Sequence, residues 1–126
     1  MNAPVVGEIG QIAITVSDVP LALKFYRDTL GLRFLFSPSE NLAFLQTGSV
    51  RIMLTTPQGA GCVGANSILY FRVLDIDATY SQLMANGASS ERAPTLTAKM
   101  PGHDLWIAFI RDPDGNLVGL MEEKHA

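Results

Sequence analysis

The sequence predicts an α+β domain made of two tandem βαβββ modules. Three observations predict it. An apolar, strand-like segment that ends in aspartate occurs twice, as QIAITVSD at 11–18 and ILYFRVLD at 68–75, 57 residues apart. Each aspartate opens a stretch whose apolar residues recur at helical spacing and which stops at a glycine, Gly31 or Gly87. Three short strand-like runs follow each of these helices.

In the first module, Asp18 is a good helix N-cap, because its carboxylate accepts the orphan amide protons of the first turn. Pro20 sits in that turn, where a missing N–H costs little. Leu23, Tyr26 and Leu30 share one stripe of the helix, flanked by Ala22 and Phe25, and Gly31 is the expected C′ residue. Strands are expected at about 32–37, 41–47 and 50–56. In the second module, Ile76, Tyr80, Leu83 and Met84 form the helical stripe and Gly87 is the stop. Strands are expected there at about 88–92, 104–111 and 116–122. Residues 112–116, DPDGN, make a tight turn with Gly115 at positive φ. Pro94, Pro101 and Gly102 make 93–103 read as a loop. Residues 57–66, with Gly59, Gly61 and Gly64, read as a linker. It divides one domain, residues 1–126, into module one at about 8–56 and module two at about 67–122.

Composition narrows the function. At 126 residues the chain is long enough to bury a core without disulfide or metal staples. Hydrophobic residues make up 48% and charged residues 17%, which places it among globular rather than disordered chains. Nine Lys+Arg against twelve Asp+Glu, a net charge of −3, argue against a nucleic-acid partner. No apolar run approaches a membrane span, and MNAPVVGEIG lacks the pattern of a signal peptide. The single cysteine, Cys62, excludes an intrachain disulfide and makes a reducing cytoplasm the expected location.

The segments IAITVSDV at 12–19, Phe25-Tyr26 with Leu30-Gly31, and FIRDPDGN at 109–116 resemble those of the vicinal oxygen chelate superfamily. That family includes glyoxalase I, extradiol dioxygenases, fosfomycin and bleomycin resistance proteins, and methylmalonyl-CoA epimerase. The resemblance spans almost the whole chain. It implies a glyoxalase-like fold in which two modules form an open, curved sheet around a cavity, and it implies a homodimer that shares or swaps its cavities. It also implies a divalent metal held at four strand positions, which fall here on Gln11, Met53, Ile68 and Gly119. Only Gln11 is a permitted ligand. Met53 offers a soft thioether, Ile68 no donor, and Gly119 no side chain, so no metal or other cofactor is expected. Glu122 lies three residues beyond Gly119 and is expected on the opposite face of its strand.

Strand alternation selects the residues that face the cavity. The helix-facing set must be apolar, which assigns Ile12, Ile14, Val16, Leu69, Phe71, Val73, Ile52 and Leu54 to that side. The opposite parity carries Gln11, Ala13, Thr15, Arg51, Met53, Thr55, Ile68, Tyr70, Arg72, Leu117, Gly119 and Met121. From this set Gln11, Arg51, Met53, Ile68, Tyr70, Arg72, Gly119 and Met121 are the candidate ligand-binding residues. An inward arginine matches a carboxylate or phosphate bidentately, or else it reaches water or a neighbouring carboxylate. No inward carboxylate is evident. His103 is the one candidate general base, set against the plainer reading of an exposed loop histidine. His125 is expected to fray with the C-terminus. No base is evident beside Cys62. Trp106 and Phe44 are expected in the core, and the two-faced apolar run 105–110 in a sheet or dimer interface.

Three functions stay open. One is a metal-independent, lyase- or isomerase-like enzyme acting on a small oxygen-rich compound. Another is a non-catalytic protein that sequesters an antibiotic-type small molecule. The third is a divalent-metal-dependent lyase or dioxygenase with displaced ligands. The common ground is a glyoxalase/bleomycin-resistance-type protein that binds a small polar or anionic organic molecule.

Overall fold

The computed structural model describes residues 5, 7–57, 62–64 and 66–125. Residues 58–61 and 65 of the expected linker lie outside the described set. The elements run β1 (Gln11–Thr15), α1 (Val19–Leu23) continuing as a π-helical turn (Lys24–Thr29), β2 (Arg33–Ser39), β3 (Leu42–Thr47), β4 (Val50–Thr55), β5 (Leu69–Arg72), α2 (Ile76–Ala85), β6 (Ser89–Met100), β7 (His103–Arg111) and β8 (Leu117–His125). They form two four-stranded sheets, in the orders β1-β4-β3-β2 and β5-β8-β7-β6. In each sheet the first strand pairs in parallel with the last, and the other pairs are antiparallel. The βαβββ repeat is therefore present twice, with each helix serving as the crossover between parallel strands.

The helix signals act as the sequence requires. Asp18 Oδ1 accepts from Leu21 N at 3.0 Å, and Asp75 Oδ1 accepts from Ala78 N at 3.1 Å. Gly31 and Gly87 follow the helices at φ +83° and +90°, a region that costs other residues strain. Gly115 occupies the same region in the 112–116 turn. The wide π-helical turn of the first helix places Phe25 and Tyr26 side by side in the core, their rings edge to face at 4.9 Å.

The core lies between each sheet and its helix and runs through both modules. Ile14, Val16, Ile52 and Leu54 pack with Ala22, Phe25 and Tyr26, and the same cluster takes in Ile76, Leu83, Ala108, Ile110, Val118 and Leu120. Polar bonds join the modules. The Tyr26 hydroxyl donates to Asp112 Oδ2, and Ser17 N donates to Asp114 Oδ2 at 3.1 Å. Asn66, just before β5, accepts from Thr15 N and donates to Thr15 O, both at 3.1 Å, so its amide stands in for a neighbouring strand at the edge of β1.

The second module departs from the sequence reading at 93–103. That segment is not a loop. β6 continues to Met100, and only Pro101 and Gly102 turn into β7. β6 is an edge strand, so the N–H that Pro94 lacks is not needed by a neighbour. Register shifts between Ser90 and Arg92, between Arg92 and Thr95, and between Leu96 and Ala98 absorb the irregularity. The 105–110 run lies in β7, an inner strand of the second sheet, as one of the two expectations has it. Ile107, Ala108 and Ile110 are buried, but Leu105, Trp106 and Phe109 are only half-buried. Trp106 packs against the core from its margin, with the Lys124 ammonium 4.5 Å from its ring.

Candidate ligand-binding site

The candidate residues divide between the helix-free faces of the two sheets. On the first sheet, Gln11 pairs in register with Arg51, and Met53 with Ala13 and Phe44. Arg51 Nε donates to Gln11 Oε1 at 2.7 Å, and Gln11 Nε2 donates to Met53 Sδ at 3.6 Å. The Arg51 guanidinium lies 5.2 Å from the centre of the Phe44 ring, which stacks on Phe36 at 4.9 Å. Phe44 is thus half-buried on this face and not in the core, and Phe36 is half exposed.

On the second sheet, Tyr70 pairs with Gly119 and Arg72 with Met121. The Tyr70 ring lies directly over Gly119, where a Cβ would come within 2.5 Å of Tyr70 Cδ2. The ring also meets Phe109 edge-on at 5.8 Å, and Arg92 stacks on the far ring at 5.1 Å. Ile68 lies just before β5 and is part exposed.

Two histidine readings need correction. His103 is not an exposed loop residue: it begins β7, and its side chain is only 17% exposed. Its Nε2 lies 3.0 Å from Glu123 Oε2, while Asp104, its neighbour in sequence, points the other way to Lys99. His125 is not frayed. It is the cross-strand partner of His103, with ring centres 5.4 Å apart. The carboxylate missing from the inward set is Glu123, whose other oxygen meets Arg72 Nη2 at 3.2 Å. The signal for it was the same parity rule, carried two residues past Met121 to where β8 continues. Glu122 faces the helix side as expected, and its Oε1 accepts from Ile76 N at the start of α2.

Arg72 stands at the lip of a crevice of about 470 Å³ between the two sheets, where β1 and β4 of the first approach β5 and β8 of the second. Ile12 and Ile52 line it from the first sheet, and Leu69, Phe71 and Met121 from the second. Ile68 and Tyr70 border the same crevice, so four candidate residues, Ile68, Tyr70, Arg72 and Met121, come together there. Gln11, Arg51 and Met53 do not line it, and Gly119 is covered by Tyr70. Cys62 is exposed.

The four positions at which a divalent cation is expected from the resemblance do not fit one. The Gln11 carbonyl oxygen is engaged by Arg51, whose positive charge sits beside it. Met53 supplies only sulfur, Ile68 nothing, and the Tyr70 ring fills the space a carboxylate at 119 needs. Among the described residues no group of three or more His, Cys, Asp or Glu side chains is arranged to hold a metal ion.

The fold and this divided site define a two-module βαβββ protein with candidate residues on both helix-free faces and an apolar crevice between its sheets. Residues 8–120 match the model of the Glyoxalase/Bleomycin resistance protein/Dioxygenase superfamily, and the chain belongs to that superfamily. It is similar to the uncharacterized protein YraH of Bacillus subtilis, with 30% identity over 89% of this chain and 95% of that one. It is also similar to a lactoylglutathione lyase of Haemophilus influenzae, with 30% identity over 88% of this chain and 89% of that one. Among solved structures, TnmS3, an antibiotic binding protein from Streptomyces sp. CB03234, superposes with a TM-score of 0.79 at 23% identity, over 97% of this chain and all of that one. That last likeness is one of fold. No helix among the described residues is long and apolar enough to cross a membrane.

Proposed function

We propose that the protein binds, without a metal and without turning it over, a small organic anion that has an apolar body. The observation that carries this reading is the crevice at Arg72. Apolar side chains from both sheets line it, and a guanidinium stands at its lip. An apolar hollow with one placed polar group is what a small-molecule site needs. A planar carboxylate or sulfonate matches the arginine fork. The antibiotic-binding relative by fold supports sequestration as the role, and the unsuitable donors at Met53, Ile68 and Gly119 weigh against the metal-dependent alternative. The stacked Phe36–Phe44 pair and Arg51 offer a second apolar and cationic face, which in this reading a second copy of the chain covers, giving a homodimer. The protein is taken to work in the cytoplasm.

Calorimetric titration with 2-naphthalenesulfonate tests the reading. Saturable binding is expected, and Arg72→Met is expected to weaken it about tenfold, the worth of one charge-assisted hydrogen bond. Affinity unchanged in Arg72→Met rejects Arg72 as the anchor. Lactoylglutathione lyase activity is expected to be absent, and its presence rejects a purely sequestering role.

A further inference from the structure

Glu123 is shared. One oxygen meets Arg72 Nη2 at 3.2 Å and the other meets His103 Nε2 at 3.0 Å. The three side chains form a row across β5, β8 and β7 on the helix-free face, beside the crevice. They differ in exposure: 73% for Arg72, 29% for Glu123 and 17% for His103. An anion arriving from solvent therefore meets Arg72 first and finds it already holding a carboxylate.

We infer that Arg72, Glu123 and His103 form a proton-linked anion site, in which the ligand's anionic group replaces Glu123 on Arg72 and His103 takes up a proton to keep Glu123 paired. The inference rests on the reading that Arg72 anchors the ligand. Two negative groups on one guanidinium repel each other, and a half-buried carboxylate that loses its cation is costly unless another replaces it. His103 is already in contact with the second oxygen, and imidazole is the side chain able to gain a charge near neutral pH. The exchange balances: one anion enters, and one proton from solvent is added to the ring. The other charged groups near His103 are engaged elsewhere. His125 Nδ1 lies 3.3 Å from Gly102 O, Asp104 pairs with Lys99, and Lys124 turns to Asp77 and the Trp106 ring on the opposite face.

The test is titration with 2-naphthalenesulfonate, whose charge does not change with pH, in buffers of different ionisation enthalpy near neutral pH. The slope of observed heat against buffer enthalpy counts protons. Uptake of roughly one-half to one proton per ligand is expected, with affinity rising as pH falls. In His103→Gln the uptake disappears. In Glu123→Gln it also disappears, and affinity rises several-fold because Arg72 no longer holds a rival charge; damage to the fold moves affinity the other way. His125→Gln keeps the uptake. Binding without proton uptake, or uptake that survives His103→Gln, overturns the inference and leaves the Arg72 reading intact. Affinity that is unchanged in Arg72→Met overturns that reading instead. Absence of any saturable binding rejects both.

Discussion

The Tyr26 hydroxyl donates to Asp112 Oδ2 over 2.9 Å and ties the first helix to the tight turn of the second module. Both groups are buried, and Asp112 also accepts from Asn116 N, Asn116 Nδ2 and Asp114 N. Tyr26→Phe deletes one donor to a buried carboxylate and is expected to cost about 1–3 kcal/mol of stability, read as a lowered denaturation midpoint. A midpoint equal to that of the parent shows the bond to be dispensable.

The same tyrosine makes stability fall in alkali. Burial, and then the charge of Asp112, hold its hydroxyl pKa far above the ordinary tyrosine value. The folded state thus keeps a proton that the unfolded chain releases near pH 10. This contribution is complete below about pH 10 and is lost as pH rises above it, by up to about 1.4 kcal/mol per pH unit. Denaturation followed from about pH 9 to 11 should show this slope in the parent and a flatter one in Tyr26→Phe.

Gly119 and Tyr70 form a coupled pair. A methyl group at 119 strikes Tyr70 at the base of its ring, which forces the ring off its present rotamer. Gly119→Ala is expected to cost about 1–3 kcal/mol, and Tyr70→Ala in the same chain should recover most of it. Strict additivity in that double-mutant cycle contradicts the contact.

The lack of suitable donors at Met53, Ile68 and Gly119 leads to a prediction about metal content. Purified protein is expected to hold no stoichiometric divalent metal, and chelator should leave the melting temperature unchanged. Elemental analysis that finds about one ion per chain rejects this.

The repeat, the caps and the core faces were legible because they rest on local rules. Asp18 and Asp75 announce helix starts by side-chain chemistry, Gly31 and Gly87 announce helix ends and Gly115 a turn by backbone freedom, and Ile14, Val16, Ile52 and Leu54 mark a core face by alternation. The 93–103 segment was misread because two prolines were weighed without knowing that β6 is an edge strand. His103 and Glu123 are 20 residues apart, and their meeting depends on the β7–β8 register, which no local pattern prints. Asn66 bonding to the edge of β1 is hidden for the same reason: it is one amide next to a glycine-rich stretch until the modules come together.

Alternation along β8 divides labour between adjacent residues. Glu122 fastens the first turn of α2, and Val118 and Leu120 lie in the core. Gly119, Met121 and Glu123 lie on the opposite, helix-free face. One strand thus faces two ways, with the scaffold's contacts on one side and the Arg72–Glu123 pair on the other. Met121 and Glu123 can therefore be exchanged without touching the core beneath them, whereas Gly119, roofed by the Tyr70 ring, cannot.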